Sequence, residues 1–307
     1  MSTLLLLEQL LNGLQLGVTL FLMAAGLTLV FGVMGLINLA HGSLYMVGAF
    51  CCAWVTNATG SFLLGLLAGF TGAAIAGALI EIIVIRKLYA RGHLDQVLAT
   101  FALILIFSEG TSWIFGSSPL YLNVPSWLSG SIPLGENGSY PAYRLLIIAI
   151  GLVIAYGLYL LITKTRLGMR IRAGESDREM IAALGVDIRT IYTFVFALGA
   201  ALAGLAGSLV GALRSVEVGM GEPVLILALV VIVIGGIGSV KGALIAAILV
   251  GFVDTLGRVF LPNLLGLFIQ DSSSLATLSA SLASVLVYIL MALILAIRPQ
   301  GLFPVNA

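Results

Sequence analysis

Residues 29–50, LVFGVMGLINLAHGSLYMVGAF, hold most of the side chains that could do chemistry in an otherwise apolar setting. His41 is one of only two histidines in the chain, and Asn38 and Ser43 flank it. A histidine near a serine suggests a base and a nucleophile. Two positions apart on a helix, however, the two side chains diverge by roughly 200°. The other histidine, His93, lies in a charged loop, and neither has a Cys or carboxylate cluster at metal-ligand spacing. The expectation is no catalytic residue, no cofactor and no metal. What remains is hydrogen-bonding capacity where lipid tolerates none, so the glycine-broken stretch 35–42 must be buried in protein or line a polar cavity. Broken apolar helices are where transporters often hold substrates or articulate. A tight turn between two ordinary spans uses the same residues, so for His41 a pathway contact and a turn hydrogen bond both stand.

The rest of the composition says what surrounds this break. Of 307 residues, 61% are hydrophobic and 9% charged, with mean hydropathy +1.19. Soluble domains carry about 25% charged residues, so this chain cannot cover itself with a water-compatible surface. Apolar runs near the ~20 residues needed to cross hydrocarbon recur along its length. They fall near 9–33, 43–59, 62–85, 96–116, 143–163, 192–213, 223–238, 242–261 and 276–297. Two are short enough to be partial, so the reading is an all-α polytopic membrane protein with eight or nine spans in one domain, 1–307. Alternating ten-residue segments of the barrel kind are absent. A net charge of +1 argues against nucleic acid as a partner. The start, MSTLLLLEQLLNG, has no basic region and no small-residue cleavage site, so no removable signal is expected. Cys51 and Cys52 are neighbours within a span and read as small packing residues.

Basic residues orient the spans, because cytoplasmic loops are enriched in Lys and Arg. Arg86, Lys87 and Arg91 fall in one loop, and Lys164, Arg166, Arg170, Arg172, Arg178 and Arg189 in another. Lys241 and Arg298 join them, leaving Arg144, Arg214 and Arg258 on the far side. With nine segments the N-terminus is outside and the C-terminus inside. The loop 117–142 has Pro, Gly, Tyr and Trp but no basic residue, and reads as external. No loop is long enough to form an ATPase or binding domain.

Small residues recur every four positions at Gly65, Gly69, Ala73 and Gly77, a series ending at Glu81. They recur again at Gly199, Ala203, Gly207 and Gly211, with Ala200, Gly204, Ser208 and Ala212 alongside. Such stripes let helix backbones approach closely. Glu81, Glu109 and Asp254 lie within spans and are expected to face protein or water, since each costs roughly 2.5–3.5 kcal/mol to insert. A second glycine break, Gly235, Gly236 and Gly238 to Gly242, resembles the first and suggests a remnant repeat. The charge map puts both breaks towards the cytoplasmic side.

The hydrophilic stretch 164–190 mixes both charge signs. Its helical part is expected from about Glu175 to Leu184, started by Ser176 or Asp177 and stopped by Gly185. Met180, Ile181 and Leu184 give it a short apolar face. Such a helix serves as a plug for a partner's groove, or as a solvated amphipathic loop that orients the chain by charge.

Four stretches together carry a family resemblance. Gly168-x-x-x-Arg172-Ala173-x-x-x-Asp177-x-x-x-x-Ala182-x-Leu184-Gly185-Val186 resembles the cytoplasmic coupling loop of branched-chain amino acid ABC-transporter permeases of the LivH type. The run 35–42 with Tyr45, Met46 and Gly48 is similar to that family's first-half signature. The runs GGIGSVKGA (235–243) and Arg298-Pro-x-Gly301-Leu302-Phe303 match as well, in family order. The resemblance implies a bacterial inner-membrane importer in which a second related permease shares the path. It also implies two ATP-binding subunits that drive it and a periplasmic binding protein that delivers substrate. By the same resemblance Arg172, Ala173, Asp177, Ala182, Leu184 and Gly185 would couple to an ATPase. Asn38, His41, Ser43, Gly235, Gly236 and Gly238 would form the path or, given the charge map, an inner gate. The family often has an acid where this chain has Ser43, and importers of urea, amides and aromatic acids share the motifs, so the substrate stays open. GGIGSVKG is not a phosphate-binding loop, so ATP would act through partners. A stand-alone secondary transporter or channel, with coupling ions carried by Glu81, Glu109 and Asp254, is the remaining alternative.

Overall fold

A computed structural model describes residues 3–89, 91–134, 138–176, 178–269 and 271–303. Its helices are α1 (Thr3–Met34), α2 (His41–Thr59), α3 (Phe62–Ile83), α4 (His93–Phe115), α5 (Ala142–Lys164) and α6 (Arg166–Ser176). They continue with α7 (Arg178–Ala183), α8 (Ile188–Gly211), α9 (Gly221–Gly235), α10 (Val240–Leu265) and α11 (Ser272–Ile297). Among the described residues seven helices are long and apolar enough to cross a membrane: α1, α3, α4, α5, α8, α10 and α11. The other two expected spans are the shorter helices at the glycine breaks. With 15 residues, α9 reaches only about 22 Å, short of a hydrocarbon core of ~30 Å. The loop 117–142 is not wholly irregular: β1 (Ser131–Pro133) and β2 (Ser139–Pro141) pair antiparallel within it.

The core is α1 and α8, whose most apolar stretches are 83% and 78% buried, against 17% for α4 and 11% for α11. Glycine explains why polar water is not needed to drive this packing. On α3 and α8 the two small-residue stripes face each other in antiparallel register: Gly69 meets Ser208, Ala73 meets Gly204, and Gly77 meets Ala200. Gly48 of α2 packs backbone to backbone on Gly204 as well. Ser208 turns its hydroxyl to the Gly48 and Gly204 carbonyls, at 3.1 and 2.7 Å. A second seam joins α1 to α10, with Gly13 on Gly251 and Gly17 on Ala247. In both seams small residues let the helices pack closely, and a Cβ added at Gly69, Gly77, Gly204, Gly13 or Gly17 would fall within 3 Å of an atom of the facing helix.

The two glycine breaks are not equivalent halves of a repeat. The first joins a long helix to a short one, whereas the second joins short α9 to long α10.

Outside the spans, Asp271 caps α11, accepting from the backbone N–H of Ser274 at 2.8 Å and from the Ser273 hydroxyl at 2.8 Å. These bonds, the Ser274 contact foremost, pull its carboxyl down to about 2 from 3.8. A depressed carboxylate stabilises the fold above its unfolded value and loses that contribution as pH falls towards its folded one. Asp271→Ala should therefore speed amide exchange at residues 272–275 relative to wild type near neutral pH. The difference should fade between about pH 4 and pH 2; a difference independent of pH in hydrogen-exchange mass spectrometry would show that the cap does not work through its charge.

Candidate functional site

The first break starts at Gly35, whose φ of +66° ends α1 in the left-handed region that glycine adopts without penalty. Its N–H closes on the Phe31 carbonyl at 2.7 Å. Residues 35–38 then run without regular structure. Asn38 starts α2: its Oδ1 accepts from the Ala40 N–H at 3.0 Å, and its carbonyl accepts from the His41 N–H at 3.2 Å. The turn hydrogen bond considered for His41 is thus supplied by Asn38. The His41 ring, wholly buried, lies against the Met23 backbone, yet neither ring nitrogen makes a well-aligned hydrogen bond. Asn38 Nδ2 and Thr28 Oγ1 are likewise buried without partners. Ser43 is buried on the same first turn.

Contacts along α1 set the height of this turn in the bundle. Near one end of α1, Asn12 accepts from Tyr140 and Arg144, beside the β1–β2 hairpin. At the other end, the Met34 sulfur lies 3.6 Å from the hydroxyl oxygen of Tyr89, in the basic loop. Met23 is halfway between. The break accordingly leaves the basic end at Gly35 and climbs to mid-height before α2 begins. The expectation puts the whole break towards one side; Gly35 lies at the basic end of the bundle, and His41 packs at the height of Met23.

The second short helix starts at the same place. Gly221, first residue of α9, packs its backbone on Gly42, second residue of α2. The Gly219 N–H points at the Met46 sulfur, 3.3 Å away. Pro223 is tolerated because a helix's first turn has no use for its missing N–H. Two helix N-termini, each carrying a partial positive charge, therefore meet at the centre of the bundle, one helix leading towards each end. Beside this meeting point Glu222 is exposed on the outside of the chain, followed one turn later by Ile226. A carboxylate at half-height in hydrocarbon is costly, so this face adjoins water or another subunit. Glu222 was not among the sequence candidates, since an acid before a proline reads as an ordinary helix start; only its depth marks it.

Gly235, Gly236 and Gly238 lie at the other end of α9, at the basic end and away from His41. Gly235 packs on Gly242, and the tail crosses the break: the N–H groups of Leu302 and Phe303 bond the carbonyls of Ile234 and Gly235 at 2.9 and 3.0 Å. The two family motifs 235–243 and 298–303 are thus one structural unit. A free pivot at this break is not what the packing provides.

The hydrophilic stretch is helical from Arg166, not from about Glu175, and forms two helices, α6 and α7. The reason is visible in α6, where Gly168, Ile171 and Gly174 make a buried stripe at helical spacing. Ser176 is the last residue of α6 and does not start a helix. Asp177 lies outside the described residues, and Ala182 belongs to α7. Arg172 is exposed and donates to the Ile162 carbonyl; Ala173 is half-buried. Gly185, with φ +81°, ends α7 as expected. Met180 and Leu184 are 58% and 74% exposed, an apolar tip on a charged loop.

This tip connects to the core through α8. Asp187 caps α8, accepting from the Arg189 N–H at 3.0 Å and the Thr190 hydroxyl at 2.5 Å, and these bonds hold its carboxyl below the ordinary range. Less than two turns on, Thr193 donates to the buried carboxylate of Glu81 at 2.6 Å. Arg86 binds Glu81 through both oxygens, at 3.2 and 2.9 Å, and Tyr89 donates to it at 2.9 Å. Glu81 faces protein, as expected. Asp254 pairs with Arg258, at 2.9 Å through each oxygen. Glu109 differs, lying on the exposed side of α4.

Among the described residues no nucleophile, base and oxyanion site come together. Buried broken helices, small-residue seams and a charged loop between spans define a polytopic membrane protein of the transport class. Residues 9–295 match the family described as branched-chain amino acid transport system, permease component, and the chain belongs to that family. It is 33% identical over 265 residues to the high-affinity branched-chain amino acid transport system permease protein BraD of Pseudomonas aeruginosa, covering 82% of this chain and 86% of that one. It is 30% identical over 271 residues to the LivH permease of the corresponding Escherichia coli system, covering 83% and 87%. The fructose import permease protein FruF of Bifidobacterium longum is 28% identical over 256 residues, covering 77% of this chain and 67% of FruF.

Proposed function

We propose that the chain is one permease subunit of an ATP-driven importer for branched-chain or related amino acids in a bacterial inner membrane. The observation that carries this is the central meeting of α2 and α9, with Glu222 exposed beside it at half-height. A pathway between this chain and a second, related permease accounts for a carboxylate there. The amino acid substrate follows from BraD and LivH, which are more similar over more of their length than the sugar permease. Ser43 leaves the choice among related amino acids, amides and urea to a separate periplasmic binding protein. Enrichment of Lys and Arg puts the basic end in the cytoplasm, with the N-terminus outside and the C-terminus inside.

Two cytoplasmic ATP-binding subunits supply the energy. The loop 172–186 seats the apolar tip of Met180 and Leu184 in a groove of one of them, and Arg172, Ala173, Asp177, Ala182 and Gly185 are the further coupling residues of the family pattern. Its motion passes through Asp187 and α8 to the Thr193–Glu81–Arg86 cluster. Asn38, His41 and Ser43 stand at the closed centre, and Gly235, Gly236 and Gly238 at the inner mouth. Gly185→Val would force a branched side chain into φ +81°, a strain of order 1–3 kcal/mol. In proteoliposomes holding both permeases, the ATPases and the binding protein, it should cut leucine uptake about tenfold while leaving ATP hydrolysis and membrane insertion intact. Unchanged uptake would sink the coupling assignment, and uptake by this chain without ATPases would overturn the importer reading itself.

A further inference from the structure

A cavity of about 590 Å³ opens between α1, α5, α6 and the start of α10. Its walls are apolar for most of their length, with Phe21, Val33, Leu152, Tyr156 and Leu244 among them, and its two charged residues, Arg172 and Lys241, both belong to one end. That end is the basic end of the bundle, where α10 begins with Ser239 capping the Gly242 N–H at 3.0 Å. Among the described residues no carboxylate pairs with either cation. Lys241 instead rests over the Phe303 ring, 5.4 Å from its centre, which fixes its ammonium beside the tail. It also borders a second cavity of about 780 Å³ that carries Arg298.

Long apolar walls with cations confined to one end at the membrane surface match one ligand chemistry: a phosphodiester headgroup on an acyl chain. We propose that this cavity is a binding site for an anionic phospholipid, with the phosphate held by Arg172 and Lys241 and one chain lying along α1 and α5. Basic pockets between membrane helices bind anionic headgroups for the same electrostatic reason. A small free anion would leave the apolar walls unfilled, and a neutral lipid would leave the cations without a counter-charge. Leu152, Val153 and Tyr156 are 45–70% exposed on α5, so the chain would continue over a surface already suited to lipid. Because Ile171 and Arg172 of α6 line the cavity, occupancy would also brace the loop that α6 begins.

The test is native mass spectrometry of the purified chain released from nanodiscs of phosphatidylcholine containing a minor share of phosphatidylglycerol. One phosphatidylglycerol should be retained per chain in preference to phosphatidylcholine. Lys241→Gln should weaken retention about fivefold, the loss expected from one phosphate-facing charge; Lys241→Arg should restore it. Leu152→Trp, which fills the cavity without touching a charge, should displace the lipid, and an unchanged thermal midpoint shows that each variant is folded. Equal retention of both lipids, or wild-type retention in both Lys241→Gln and Leu152→Trp, would overturn the site. So would a dimer of this chain that holds no lipid and comes apart in Leu152→Trp, since the cavity would then seat a second copy.

Discussion

Arg86→Met should lower the stability of the chain by about 3–5 kcal/mol, more than Glu81→Gln does. The Glu81 side chain is fully buried, while that of Arg86 keeps 32% exposure. Removing the arginine leaves a carboxylate with only the hydroxyls of Tyr89 and Thr193, a buried charge without its counter-charge. Glu81→Gln leaves an amide that those hydroxyls still reach and an arginine that can turn outward, so its cost is nearer to a lost hydrogen bond to a charged group, about 1.5–3 kcal/mol. Thermal unfolding of both variants in one mild detergent measures the order. If Glu81→Gln were the more damaging, the cluster would not be held by the buried charge. Thr193 sits less than two turns after the Asp187 cap, so loosening this cluster should also blunt uptake in the assembled importer.

The small-residue stripes were legible in the sequence because period four survives in one dimension. Gly65, Gly69, Ala73 and Gly77 needed only counting. That they face Ser208, Gly204 and Ala200 was not legible, since either stripe could have met lipid, a partner or α1. The first break was legible as a break, but its path was not. Residues 35–40, if extended, cover about 20 Å; if turned, they cover almost none, and both use the same glycines and asparagine. Charge alone could not place His41, because charge marks where loops leave the bilayer and is silent about a segment that re-enters the bundle. The start of α6 does have a signal in the sequence: Gly168, Ile171 and Gly174 repeat at helical spacing, masked by the arginines between them. The tail motif 298–303 and the run 235–243 were matched separately. Their pairing is made by backbone groups, which no side-chain pattern announces.

Gly221→Val should nearly abolish uptake while leaving the amount of chain in the membrane close to wild type. A Cβ on Gly221 would fall on the Gly42 carbonyl, so the clash is with backbone and no rotamer change relieves it. Overpacking of this kind costs about 1–3 kcal/mol. Set against the closed centre alone, that is roughly a five- to 150-fold shift in its population. His41 and Asn38 put polar side chains at this buried centre, where a polar group left unsatisfied costs about 1–3 kcal/mol. Opening the contact to water or to a polar substrate would satisfy those groups, and closing it gains the Gly42–Gly221 packing. A protein that must pass between the two states is served by having neither much the more stable. Gly157→Val is the matched control: that glycine lies on α5 with no atom within 4 Å of an added Cβ, and its uptake should stay near wild type. Leucine uptake and membrane abundance, measured together for both variants, decide the matter. Wild-type uptake in Gly221→Val would mean that the meeting of α2 and α9 does not have to open and close, and that the path runs elsewhere.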